Sequence, residues 1–224
     1  MATYTKEKDA ASTQEDDSEA RAAMEVVFGN TARWPAGFTG FTADVVVNIN
    51  GKEEKGTVTA KNVKEIDTTI QDEKAKAFLV ENMTSIVSHR GPRSFAESDG
   101  KYKLTFGDDG THPLGRIISM GGDGMSSFYR IKDGRIQQIN RKTPRMAFTI
   151  NIEESVKNPD GKYLTHKYTV YYFNQDNSIK DVESYSDDYV RVGDADLPQY
   201  RRIINNEGGQ IQVNSMTLSN HKIL

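Results

Sequence analysis

From about residue 101 onward the chain is a succession of short segments, each closed by a turn-forming cluster. This cadence constrains the fold more than any other feature. Strands are expected at 101–106, 116–120, 126–131, 135–141, 146–153, 164–173, 179–186, 199–205 and 210–222. The punctuation is Gly107-Asp108-Asp109-Gly110, Gly121-Gly122-Asp123-Gly124, Lys132-Asp133-Gly134, Asn158-Pro159-Asp160-Gly161, 174–178 and Glu207-Gly208-Gly209. Glycine, proline, asparagine and aspartate supply the backbone angles that tight turns demand. Short strands joined by tight turns pair antiparallel.

The same pattern starts earlier. Phe41, Ala43, Val45, Val47 and Ile49 alternate with polar or smaller residues, which gives a strand with one buried face. Asn50-Gly51 then reads as a hairpin turn, because both central residues of a type I′ turn need positive φ. The return strand is expected at 55–61 and a further one at 63–69.

Two segments break the period of two. Residues 15–28 place Ala20, Ala23, Met24, Val27 and Phe28 at helical spacing. Ser12 or Thr13 can cap this helix, and acids crowd its first turn. Residues 71–88 place Ala75, Phe78, Leu79, Asn82, Met83, Ile86 and Val87 on one stripe, ended by His89-Arg90-Gly91-Pro92.

The expected fold is therefore mainly β (α+β), a curled antiparallel sheet of about 11–12 strands. A flat open sheet of that size is unusual, so a half-barrel or open barrel follows. The N-terminal and inserted helices would cover its concave face, and the gap beneath them is a natural apolar pocket. Residues 15–224 read as one domain, behind a polar tail, 1–14, expected to be disordered.

Composition removes several functions. Among 224 residues there are no cysteines, so disulfides, thiolate catalysis and cysteine-based metal sites are excluded. Lys plus Arg is 29 and Asp plus Glu 32, a net charge of −3, without the basic excess of a nucleic-acid binder. No apolar run approaches the roughly 20 residues of a membrane span. The N-terminus has no apolar signal segment, so a cytoplasmic location is expected.

No constellation of catalytic residues emerges. The four histidines, His89, His112, His166 and His221, share no metal-binding spacing, so no metal site is expected. His89 sits at a helix C-terminus, where a cation meets orphan carbonyls, and is either a cap or a ligand contact. His166 shares its strand face with Leu164, Tyr168, Val170 and Tyr172, either as a hydrogen-bonded core residue or as a cavity contact. Arginines gather mid-chain: Arg90, Arg93, Arg116, Arg130, Arg135, Arg141 and Arg145. They are either solvated strand faces or, if they converge, a site for an anionic head group. Arg90 and Arg141 are the preferred pair. There is no Gly-x-Ser-x-Gly, and Asp187-Asp188 would face opposite sides of a strand.

Several short stretches carry a family resemblance: Phe41-Thr42-Ala43-Asp44-Val45, Ser85 to Phe95, Tyr129-Arg130-Ile131, Gln137 to Arg141, Met146 to Ile150 and Asp160 to Leu164. Together they resemble a bacterial and plastid family of unknown function, best represented in cyanobacteria. No reaction and no catalytic residue come with that resemblance. The order of elements is also similar to the lipoprotein carriers of the bacterial envelope, in which helices and a curved sheet enclose an acyl-chain cavity. This chain departs from those carriers in showing neither a signal peptide nor a lipobox cysteine, which speaks against a periplasmic shuttle role.

The expected function is a non-catalytic carrier of a hydrophobic or amphiphilic molecule such as a lipid, carotenoid or tetrapyrrole. No cofactor is specified. Trp34, Phe38, Phe78, Met83 and His166 are the expected wall, with His89, Arg90 and Arg141 at its polar end. The alternatives are a protein-docking factor using a sheet edge or the Trp34 loop, and a cavity enzyme using His89 or His166 as proton carrier.

Overall fold

Asn50 and Gly51 do adopt positive φ, 51° and 95°, and pair Ile49 with Lys52 across a two-residue turn. Asp133-Gly134 and Gly208-Gly209 close hairpins in the same way. A computed structural model describes residues 15–122, 126–143 and 146–224. The expected tail 1–14, its caps Ser12 and Thr13, Arg145 and part of the 121–124 turn lie outside the described residues.

Twelve strands form one antiparallel sheet: β1 (Phe41–Ile49), β2 (Lys52–Asn62), β3 (Glu65–Thr68), β4 (Lys103–Phe106), β5 (Arg116–Gly121), β6 (Ser126–Lys132), β7 (Arg135–Lys142), β8 (Ala147–Lys157), β9 (Tyr163–Phe173), β10 (Ile179–Val192), β11 (Ala195–Glu207) and β12 (Gln210–Ile223). The order is β3-β2-β1-β12-β11-β10-β9-β8-β7-β6-β5-β4, so the sheet is open, with β3 and β4 as its end strands. Among the described residues two α-helices accompany it, α1 (Ser18–Asn30) and α2 (Glu73–Arg90). The mainly β, open-sheet architecture expected from the turn cadence is the one observed.

The chain resolves into two compact units. One contains 15–30, 94–152 and 171–180; the other contains 31–93, 153–170 and 181–224. In the first, α1 packs on β4 and β7. Ala20 and Met24 meet Leu104, Ile118, Met120 and Tyr129, all buried. In the second, α2 packs on β1, β2 and β3. Ala75, Leu79, Met83, Ile86 and Val87 join Val45, Val47, Val58, Leu197, Met216 and Leu218 in a larger core.

Several boundaries differ from expectation, and three of them have an identifiable physical reason. Helix α1 starts at Ser18, because Asp17 caps it, accepting from the Glu19 and Ala20 amides at 2.8 and 3.2 Å. The residues before it serve the sheet edge: Asp17 N donates to Leu104 O, and Leu104 N donates to Asp16 Oδ1, both 2.8 Å. Strand β10 runs on through Asp187-Asp188 to Val192, past the expected end at 186. Strand β11 begins at Ala195, before Pro198. The proline is accommodated where the register shifts between Asp188 and Tyr189, since a bulge releases the need for its missing N–H.

Candidate functional site

The second unit carries a buried polar layer that its apolar core does not require. Helical spacing that turns Leu79, Met83 and Ile86 inward also turns Asn82 and Arg90 inward, leaving them 6% and 8% exposed. Asn82 Nδ2 donates to Phe78 O one turn back, at 2.9 Å, which leaves its Oδ1 for the sheet.

Below it, Asp187 of β10 lies directly opposite Arg201 of β11. Arg201 Nε and Nη2 donate to Asp187 Oδ1 and Oδ2 at 2.8 and 2.6 Å, and Nη1 reaches Asn82 Oδ1 at 3.3 Å. This two-pronged pair is the strong form of an ion pair. Burial works to discharge Arg201, but Tyr168 and the bond to Asp187 hold it above the ordinary arginine range.

Aromatic rings frame the pair. Tyr168 stacks on Tyr185 at 4.5 Å and 7°, and the Arg201 guanidinium lies 5.3 Å from the Tyr185 ring. Tyr189 donates to Thr165 O at 3.0 Å and meets the His166 ring edge to face at 5.4 Å. Burial, reinforced by Asp187, pushes the Tyr189 phenol up, so it stays a neutral donor.

Arg90 stands over Tyr189 at 5.1 Å. Its Nη2 is 3.9 Å from Asp196 Oδ2, beyond hydrogen-bond distance. Nε and Nη2 are buried and have no hydrogen-bond partner among the described residues. Burial pulls the guanidinium down, against Tyr189 and Asp196. An arginine nevertheless stays charged at neutral pH.

Asp196 connects this interior to the surface. Its Oδ2 accepts from Asn158 Nδ2 at 2.7 Å and from Arg191 Nη1 at 3.1 Å. Its backbone oxygen accepts from Trp34 Nε1 at 2.9 Å. Arg191 Nη2 also pairs with Asp160 at 2.7 Å. Outside it, an open cleft of about 370 Å³ is lined by Arg33, Lys162, Arg191, Asp160 and Asp194, among others. Another, of about 500 Å³, lies at the β1–β12 register shift beside Asp44, Asn220 and His221. No group of three metal-ligating side chains occurs among the described residues.

The residues singled out in the sequence occupy different environments. Trp34 is 3% exposed and its ring lies tilted against Phe38 at 4.6 Å, so its indole is a core element and not a surface one. Met83 is fully buried in the same core, with Phe78 and Phe38 partly buried at its margin. His89 is exposed and its Nδ1 lies 2.8 Å from Ser85 O, one turn back in α2. His166 is half-buried, with Nδ1 3.4 Å from Asp188 Oδ1. Arg141 belongs to the first unit, where Nη2 donates to Tyr129 Oη at 2.6 Å. There too, Arg130 pairs with Asp108 at 2.8 Å.

Asn82, Asp187, Asp196 and Arg201 carry the layer, and the sequence reading assigned them no part in a site. One signal existed: Asp187 sits between Tyr185 and Tyr189, a charge inside an aromatic stripe of period two. As expected, its neighbour Asp188 is exposed while Asp187 is buried.

No match to a curated protein was found. Among solved structures, the chain is similar to a LolA superfamily protein from Nitrosomonas europaea, at 11% identity and a TM-score of 0.30. The similarity covers 92% of this chain and 93% of that one. No helix among the described residues is long and apolar enough to cross a membrane. The model of the protein family of unknown function DUF3386 matches residues 15–224, and the chain belongs to that family.

Proposed function

We propose that the protein is a non-catalytic binding protein holding a hydrophobic or amphiphilic small molecule, such as a lipid, carotenoid or tetrapyrrole, against the α2-covered part of the second unit's sheet. One observation carries this reading. Arg90 is buried with two nitrogens that have no hydrogen-bond partner among the described residues, over the half-buried ring of Tyr189, which in turn meets half-buried His166. A buried donor without an acceptor costs about 1–3 kcal/mol, more when charged. Such an arrangement is unfavourable for folding alone and becomes favourable once a ligand supplies the acceptor and covers the rings. Half-buried aromatic walls with a few polar groups are the usual lining of small-molecule sites.

The docking alternative has less support. Trp34 is not offered to a partner, and the end strand β3 is four residues long with Glu65 and Asp67 on it. Short charged edges resist strand addition.

The test uses the single tryptophan. Retinol, a neutral polyene, accepts energy from indole emission. Titrating retinol into delipidated protein is expected to quench Trp34 saturably, with micromolar affinity. Linear, non-saturating quenching would remove the carrier reading.

A further inference from the structure

The cleft beside Arg191 has a sign opposite to that of the whole chain. Arg33, Lys162 and Arg191 line it with Asp160 and Asp194, and Asp196, which holds Arg191 at 3.1 Å, lies 3.9 Å from Arg90. That makes four cations against three carboxylates, in a chain with a net charge of −3. Two of those carboxylates are already committed, because Asp160 and Asp196 both hold Arg191. A metal cation would find few free oxygens here, whereas an anion would find donors.

The cleft is also built. Three loops are locked together by main-chain and buried side-chain bonds. Ala32 N donates to Tyr163 O at 2.9 Å, and Trp34 N donates to Arg90 O at 2.8 Å. The Trp34 indole and Asn158 both bond Asp196. Arg191 is fixed at three points, Asp160, Asp196 and Gly193 O at 3.1 Å, while a guanidinium has five N–H groups to give. A donor array held rigid before binding loses little entropy when an oxyanion arrives. Guanidinium forks match carboxylate and phosphate oxygens in geometry as well as charge.

We propose that this cleft is an oxyanion site that takes the carboxylate or phosphate head group of the ligand, with Arg33, Lys162 and Arg191 lining it and Arg90 linked to it through Asp196. The inference rests on the binding reading above for the apolar part to which the anion is attached. It narrows that reading to anionic amphiphiles.

Calorimetric titration of the full chain with decanoate, decanol and inorganic phosphate separates the two ideas. Decanoate is expected to bind about tenfold or more tighter than decanol, the range a charge-assisted hydrogen bond provides. Arg90→Met and Lys162→Gln should each bring that ratio toward one by weakening decanoate binding. Lys162 is on the loop surface, so its variant remains informative if Arg90→Met does not fold. Equal affinities in the unaltered protein would overturn the anion site and leave the carrier reading standing. Binding of decanoate and phosphate without decanol would uphold the anion site and remove the carrier reading. Phosphate competing with decanoate would identify the head group as the shared element. No binding of any of the three would overturn both proposals.

Discussion

Helix α1 and helix α2 solve the same problem, covering one part of a sheet, with different chemistry. Every residue that α1 buries is apolar: Ala20, Met24, Val27 and Phe28. Its charges stay at the rim, where Asp16 and Arg21 pair at 2.6 Å with side chains about one-third exposed. Helix α2 buries Asn82 and Arg90 among its apolar residues, and the ion pair beneath it, Asp187 with Arg201, is only 4–6% exposed. Exposed pairs contribute roughly 0–1 kcal/mol. Buried pairs give up hydration on both sides, so a hydrophobic replacement is often as stable or more so. What α1 covers is therefore accounted for by packing. The second retains an interior that stability alone does not favour, and that is the reason to place the binding site there.

The sharpest way to break this comparison is to truncate one carboxylate in each region. Asp187→Ala leaves Arg201 charged and buried, and is expected to cost about 3–5 kcal/mol in urea unfolding. Asp16→Ala should cost no more than about 1 kcal/mol. Equal losses would erase the distinction.

The apolar parts should behave alike. Leu104→Ala in the first unit and Met83→Ala in the second each remove a fully buried side chain. Each is expected to cost about 2–5 kcal/mol by the same measurement. A much smaller loss at Met83 would mean that the α2 core is loosely filled.

Arg90→Met sharpens the comparison. The variant removes two unsatisfied donors and keeps most of the volume. Its unfolding free energy in urea is expected to stay within about 1 kcal/mol of the parent or to rise. A loss above about 2 kcal/mol would mark Arg90 as a structural residue and weaken the binding reading.

The smallest effect concerns pH. The hydrogen bond from Arg21 outweighs burial and holds the Asp16 carboxyl below the usual aspartate range. A depressed carboxyl stabilises the fold fully above the unfolded value of about 4. That contribution disappears as pH falls below 4 through the lowered folded value. Asp16→Asn should therefore flatten the acid limb of Tm against pH, with no change in slope between pH 6 and 8. An unchanged acid limb would show that the exposed pair is fully screened.

Much of the fold was legible because its signals are local. The Asn50-Gly51 turn needs only its own backbone angles, and the Met24 and Met83 stripes need only helical spacing. The strand ends at 187–199 were misplaced for a nonlocal reason: two aspartates and a proline look like a break until Arg201 and a bulge across the sheet absorb them. The same holds for the site. Arg90 and His166 stood out by position and stripe, but nothing in the sequence marks Arg201, Asn82 or Asp196 as their neighbours. Asn82 and Arg201 are 119 residues apart in the chain and 3.3 Å apart in space.

By itself, then, the sequence determined the alternation of strands and turns, the two apolar helix stripes, the absence of thiol chemistry and the family. Those are properties of residue type and short-range spacing, set by sterics and by the period of each element. Only the tertiary structure decided which charges are removed from water and which of them are matched. Burial and pairing depend on strands and helices far apart in the chain meeting in register, and that meeting leaves two buried Arg90 nitrogens with no hydrogen-bond partner among the described residues.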